Sequence, residues 1–335
     1  MARVETSSSR PYHLVVFGAS GFTGQFVVEE VARTVSEGPK GNLKWAVAGR
    51  SKQKLEKVLE QAAGALSKPE LRTEVDIIVA DVEEPDSLAA MCKQAVIVLN
   101  CVGPGGCIHD GTAITSGFWD IQNQESGRLI LKPLTVAPQL KHRGTLFYSN
   151  EIQQYTVPFM GSDPSVVKRT QRFLAEEYQE TPVQYGAYAG IGGIGSIIKL
   201  MFAGMMFWFL VKFSFGRNLL VKHPEFFSFG LFSKAGPTRK QMEASSFQFA
   251  FYGEGYTEGE DPSQGKPSSK IRTLVQGPEC GYVATPIAMV QAALTILNES
   301  TALPKKGGVY TPGAAFAKTT LVDRLNKHGI QFSVI

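Results

Sequence analysis

Apolar runs and helical stripes alternate along the first hundred residues of this chain. Residues 12–17 (YHLVVF) form a continuous apolar run of strand length, and a helical pattern begins at Phe22. A second run, 43–51 (LKWAVAGRS), precedes a stripe at Leu55, Val58, Leu59 and Ala62 that predicts a helix over 52–63. A third run, 75–81 (VDIIVAD), leads to a helix start at Pro85-Asp86, and a fourth, 95–104 (AVIVLNCVGP), closes the series. Strands apolar on both faces, separated by helices at this rhythm, predict a parallel α/β sheet.

Past residue 150 the pattern loosens. Asp163 as cap and Pro164 as first helical residue predict a helix over 161–178, with Val166, Val167, Thr170, Phe173 and Leu174 on its apolar face. Lys168, Arg169 and Arg172 fall on the opposite, solvated side, with a phosphate contact as the alternative reading. Segments 182–190, 245–253 and 269–276 alternate as half-buried strands, the last two flanking a polar Gly/Pro/Ser-rich tip read as a mobile hairpin loop. Helices near 286–298 and 318–328 finish the chain.

One stretch, 194–234, fits neither pattern. Its charge-free run from Leu200 to Val211 is apolar all round, with Met201, Phe202, Met205, Met206, Phe207, Trp208 and Phe209. Twelve helical residues reach roughly 18 Å, short of the roughly 30 Å hydrocarbon core. Aromatics interspersed with Lys212, Arg217, Lys222 and Lys234 follow. That pattern predicts monotopic insertion of residues 200–234 into a lipid surface, with basic groups at the headgroups. A helix buried between domains or in a dimer interface is one alternative, and a true membrane span, which would have to take in Lys199 upstream, is the other.

The chemistry sits first in the turn after the opening strand, Gly18-Ala19-Ser20-Gly21-Phe22-Thr23-Gly24. Glycines so placed permit a tight turn, close approach of backbone amides to a pyrophosphate and close helix–strand packing. The spacing is GxxGxxG, a variant of the dinucleotide-binding turn, and its place between strand and helix strengthens it. Where an acidic residue at the second strand's end would select NAD, this chain has Arg50-Ser51, and an arginine suits the 2′-phosphate of NADP(H). The plainer reading makes Arg50 a loop residue and Ser51 a helix cap. Asp81 is placed to reach the adenine, and Asn100, Val102 and Gly103 to line the cleft mouth. As structural residues, Asp81 would be a loop former and Asn100 a turn former.

Length and composition narrow the classes. With 335 residues the chain holds two domains, and its net charge of +4 with no basic cluster argues against nucleic acid. Four cysteines make no disulfide framework at this length, which favours a reducing compartment. The N-terminal MARVETSSSRPYH reads as neither a secretory signal nor a transit peptide. No YxxxK pair and no GxSxG elbow occurs. Cys101, Cys107, His109 and Asp110 lie close in sequence, but their spacing fits no zinc pattern. His109-Asp110-Gly111-Thr112 reads as a helix start capped through Asp110 or Thr112. No residue stands out as a catalytic acid or base, and no metal site is expected.

The stretches HLVVFGASGFTGQFVVEEVAR, WAVAGRS and VIVLNCVGP closely resemble the saccharopine dehydrogenase-like oxidoreductases, and the resemblance resumes in YTVPFMGSDPSVVKRTQRFL, IIKLMFAG, GYVATPIAMVQAAL and GGVYTPGAAFAKT. It implies a Rossmann domain for a nicotinamide dinucleotide, NADP(H) or NAD(H), and a second α+β domain. It also implies association with lipid droplets or other membranes, and a link to lipid or glycolipid metabolism. The resemblance is interrupted after Pro104. There family members continue with a helix and further strands, whereas this chain runs directly into GGCIHDGTAITSGFWDIQ.

The resulting expectation is an α/β chain in three parts. Residues 1–10 form a disordered N-terminus, 11–104 a shortened Rossmann-like parallel sheet, and 105–335 an α+β domain with antiparallel strands and the docking segment 194–234. The expected function is an NAD(P)-dependent oxidoreductase acting on a small or lipid-like substrate at a lipid-droplet or membrane surface facing the cytosol. Mitochondrial or soluble cytoplasmic placement is the alternative. A non-catalytic lipid-droplet scaffold retaining part of a nucleotide-binding domain is the competing function, and a homodimer that completes the cleft is a third reading.

Overall fold

The computed structural model describes residues 10–102, 143–228, 230, 236–257, 260 and 267–335. Gly103, Pro104, Cys107, His109, Asp110, Thr112, Lys234, most of the expected N-terminal tail and much of the hairpin tip lie outside the described residues. Four parallel strands, β1 (Tyr12–Phe17), β2 (Trp45–Gly49), β3 (Asp76–Val79) and β4 (Ala95–Asn100), form a sheet in the order β3-β2-β1-β4. Leu14 of β1 stands beside Trp45 on one side and Ile97 on the other. The connections are α1 (Phe22–Arg33), α2 (Lys52–Leu66) and α3 (Pro85–Gln94). This is the predicted alternation, with α2 three residues longer than expected because it runs on to Ser67, whose left-handed backbone ends it and whose N–H bonds the Gly64 carbonyl.

Period-two alternation divides the sheet's side chains between two layers. Leu14, Val16 and Val47 face α1 and α2, meeting Val27, Val31, Leu55 and Leu59. Val15, Phe17, Ala46 and Ala48 face α3, meeting Leu88 and Met91. The first layer is completed from the other end of the chain. Val290, Ala293 and Leu294, on the helix Thr285–Asn298, are buried in the same cluster as α1.

The remaining strands are antiparallel. β5 (Phe147–Ser149), β6 (Gln154–Pro158) and β7 (Tyr188–Gly192) form one sheet. β8 (Ser246–Gly255), β9 (Ser269–Pro278) and β10 (Gln331–Val334) form another, with Phe249 opposite Val275. The chain is therefore α/β, a Rossmann-like parallel sheet joined to α+β structure with antiparallel strands. β5, β6 and β10 are too short to show a period in the sequence. The strand expected from 182 begins only at Tyr188, because the N–H of Val183 is taken by the Gln171 side chain at 2.7 Å.

The helix expected over 161–178 runs Asp163–Tyr178, with Asp163 inside its first turn rather than capping it. Its basic side is put to local use, with Arg169 reaching the Val309 carbonyl and Arg172 pairing with Glu176. The apolar segment departs furthest from expectation. Its helix runs Ile194–Val211, 18 residues with none buried, and not only the charge-free twelve. At 1.5 Å per residue it is about 27 Å long, so it is long and apolar enough to cross a membrane. Lys199 does not end it, since a single lysine leaves backbone helical propensity intact. A second helix, Ser214–Lys222, follows, with Arg217 Nη1 on the Val211 carbonyl at 2.9 Å.

Candidate functional site

In the parallel sheet the chain moves from β1 outward to β2 and β3, then returns across β1 to β4. The crevice beyond the carboxyl ends of β1 and β4 is the switch point at which such sheets bind ligands. Gly18 opens it with φ +80°, and a Cβ there would lie 2.9 Å from both the backbone nitrogen and Cγ2 of Val102. The turn is tied down on both sides, since Gly18 N–H donates to Ala48 O at 2.9 Å and Gly21 N–H to Gly18 O at 2.9 Å. Gly24 is needed for packing. A Cβ on it would lie 2.2 Å from the Gly18 carbonyl oxygen, inside hard contact.

Helix α1 therefore starts directly above the end of β1. Gly21 precedes it with no side-chain cap, and its first turn carries no acidic residue. The first intrahelical bond of this turn is Gln25 N–H to Gly21 O, so the N–H groups of Phe22, Thr23 and Gly24 have no partner in the helix. Unpaired donors with the positive end of the helix dipole are suited to phosphate oxygens. The crevice left by three small residues fits a pyrophosphate backbone, with the amides of residues 22–24 as its holders.

The other sequence-predicted residues divide. Ser20 is exposed and lies toward the end of β2, its Oγ 3.7 Å from where a Cβ on Gly49 would be. Arg50 is exposed at that same end and makes no ion pair among the described residues. Ser51 caps α2, its Oγ accepting from Lys54 N–H at 3.4 Å. Asp81 shapes its own loop, Oδ1 accepting from Glu83 N–H at 3.2 Å. Asn100 does likewise, with Oδ1 taking the Val102 N–H at 3.0 Å and so removing that donor from the cleft. Thus Gly18, Ser20, Gly21, Phe22, Thr23, Gly24, Arg50 and Val102 gather at the carboxyl end of the sheet, while Ser51, Asp81 and Asn100 serve local turns there.

Sequence reading missed what covers Phe22. Tyr282 meets its ring edge-on, centroids 4.7 Å apart, and Gly236 lies against it. Tyr282 belongs to a π-helical turn, Cys280–Ala284, which opens the helix Thr285–Asn298 and is held by Glu279 accepting from the N–H groups of Gly281 and Tyr282. No local signal marks either residue, since both are more than two hundred positions from Phe22.

Cys101 lies just past β4, and burial pushes its thiol up to about 12, so it is no nucleophile near neutral pH. Among the described residues no three His, Cys, Asp or Glu side chains converge as a metal site.

A family model for the saccharopine dehydrogenase NADP-binding domain matches residues 14–108. A human saccharopine dehydrogenase-like oxidoreductase is 46% identical, with 98% of each chain covered. That alignment runs over 422 positions against 335 residues here, so the relative carries residues within the matched region that this chain does not. A probable mitochondrial saccharopine dehydrogenase-like oxidoreductase of Arabidopsis thaliana is 31% identical, covering 97% of this chain and 96% of its own. A lipid droplet localized protein of Caenorhabditis elegans is 29% identical, covering 96% and 98%. With its glycine turn inside the matched NADP-binding domain and this likeness along nearly its whole length, the chain belongs to the saccharopine dehydrogenase-like oxidoreductase family.

Proposed function

We propose that this chain is an NADP(H)-dependent oxidoreductase that works at a lipid-droplet or membrane surface facing the cytosol, on a lipid-like substrate drawn from lipid or glycolipid metabolism. The observation that carries the cofactor reading is the uncapped start of α1 above Gly18, with the exposed Arg50 at the adjoining strand end. When bound, the nicotinamide dinucleotide would supply the hydride chemistry. The amides of residues 22–24 would hold the pyrophosphate, and Arg50 the 2′-phosphate. The surface reading rests on the exposed helix Ile194–Val211, on Lys212 seated 3.2 Å over the Trp208 ring, and on the lipid-droplet placement of the nematode relative.

Fluorescence titration with NADPH and NADH tests the first part. Arg50→Ala is expected to weaken NADPH about tenfold, one charge-assisted contact at an exposed site, and to leave NADH unchanged. Equal loss for both cofactors would remove Arg50 from the 2′-phosphate.

A second reading is a non-catalytic lipid-droplet scaffold that retains part of the nucleotide-binding domain as fold alone. It is favoured by the residues that relatives carry and this chain does not, and by the lack, among the described residues, of an evident acid or base beside the turn. Titration of this chain beside one with the relatives' additional residues restored separates the two. NADPH binding by the restored chain alone would select the scaffold.

A further inference from the structure

The sheet of β8, β9 and β10 has two edges, and they are guarded unequally. β10 pairs with β9 over only four residues, Gln331–Val334. β8 pairs with β9 over all ten of its residues, Ser246–Gly255, in one uninterrupted register without a bulge. Among the described residues no strand lies on the other side of β8. Edge strands are kept from joining others by shortness, bulges, proline or lysine. β8 has none of these, and its one charged residue is Glu254. The strand is also open to its surroundings. Ala250 is exposed, and Phe249 and Phe251 are 48% and 41% exposed. The order of side chains along β8 is moreover its own complement about Ala250. Laid antiparallel on a second copy with Ala250 facing Ala250, Phe249 meets the copy's Phe251 and Gln248 meets its Tyr252. Ser246 then meets Glu254, and Phe247 covers Gly253.

We propose that β8 is the interface of a homodimer, in which two copies pair β8 to β8, antiparallel about Ala250, to form one six-stranded sheet. Every residue pair in this register falls on a single face, because side chains alternate with period two. Aromatic pairs, and a serine hydroxyl facing a carboxylate, are among the cross-strand neighbours that stabilise antiparallel sheets. An aromatic ring laid over an edge glycine supplies the contact that the glycine lacks. Phe249 and Phe251, which β9 leaves half-exposed, gain a ring on their open side. The two Glu254 residues stand about 27 Å apart, eight residues along the strand, so the charge of the edge does not oppose its own copy. A two-fold axis makes the contact isologous, and it closes at two copies without leaving a free β8 edge. That closure and the self-complementary order select a second copy over a foreign strand.

The test is sedimentation velocity of the full chain over a concentration series, in a mild non-ionic detergent that covers the helix Ile194–Val211. We expect a concentration-dependent dimer. Ala250→Lys, which sets two ammonium groups across the axis, should raise the dimer dissociation constant about tenfold or more. Changing Phe207 and Trp208 together to Ser should leave that constant unchanged. Register is read by disulfide trapping. Ala250→Cys puts two thiols on residues whose Cα atoms lie about 4.5–5.5 Å apart, within disulfide reach, and should cross-link under mild oxidation. Gln248→Cys lies about 14 Å from its own copy and should not. A chain that stays monomeric overturns the proposal and leaves the edge to a strand of another protein. A dimer that survives Ala250→Lys but is lost on changing Phe207 and Trp208 lies at the apolar helix, and overturns it too. So does cross-linking through Gln248→Cys in place of Ala250→Cys. The unsubstituted chain decides the first point even if a variant fails to fold.

Discussion

Among the described residues two helices are long and apolar enough to cross a membrane, and they are treated in opposite ways. Cys280–Asn298 buries Val290, Ala293 and Leu294 against α1 and the parallel sheet. Ile194–Val211 buries none of its side chains, and Trp208 is 62% exposed. Hydrophobicity measures only the drive to leave water. The first helix satisfies that drive within the chain. The second leaves it unmet among the described residues, and on the docking proposal its flanking Lys212, Arg217 and Lys222 would meet a headgroup layer.

The sharpest way to break this contrast is to shorten one side chain in each helix. Leu294→Ala is expected to cost about 2–5 kcal/mol in denaturant unfolding, the loss for a large buried aliphatic, whereas Met205→Ala should stay within about 0.5 kcal/mol. Equal costs would mean that the exposed helix is packed in solution. The complementary experiment changes Phe207 and Trp208 together to Ser. Losing two aromatic insertions should lower flotation affinity by about 3 kcal/mol, roughly a hundredfold, with no change in the unfolding midpoint. Undiminished flotation would take the helix away from the lipid surface.

Within the nucleotide half, Gly24→Ala places a methyl group against the Gly18 carbonyl. It is expected to cost about 1–3 kcal/mol in stability, as overpacking does, and to abolish NADPH binding. Normal binding by a stable variant would move the phosphates away from this turn. The smallest effect concerns Cys101. Because burial raises its thiol pKa to about 12, it should react with thiol reagents near neutral pH more slowly than exposed Cys280. Preferential labelling of Cys101, read by mass spectrometry, would show the mouth of the cleft to be open.

Much of the nucleotide half was legible because its determinants are local. Four apolar runs, the stripe on α2 and the glycine spacing each occupy one short window, and the structure follows them to within a few residues. The roles of Asp81 and Asn100 were less legible. Short polar residues at strand ends serve a ligand or their own turn equally well, and here their oxygens take the N–H groups of Glu83 and Val102. The extent of the exposed helix was less legible, since the charge-free run covers only Leu200–Val211 while the helix begins at Ile194 and carries Lys199 within it.

The sequence by itself determined the βαβ order, the turn that frees three amides above β1, and the existence of an apolar segment too greasy for an ordinary surface helix. Those follow from periodicity and backbone sterics, which act over a few residues. Only the tertiary structure decided which apolar helix would be buried. It alone brought Gly236 and Tyr282 against Phe22 at the start of α1. Contacts between residues more than two hundred positions apart depend on how whole layers pack, and packing leaves no pattern in any single stretch of sequence.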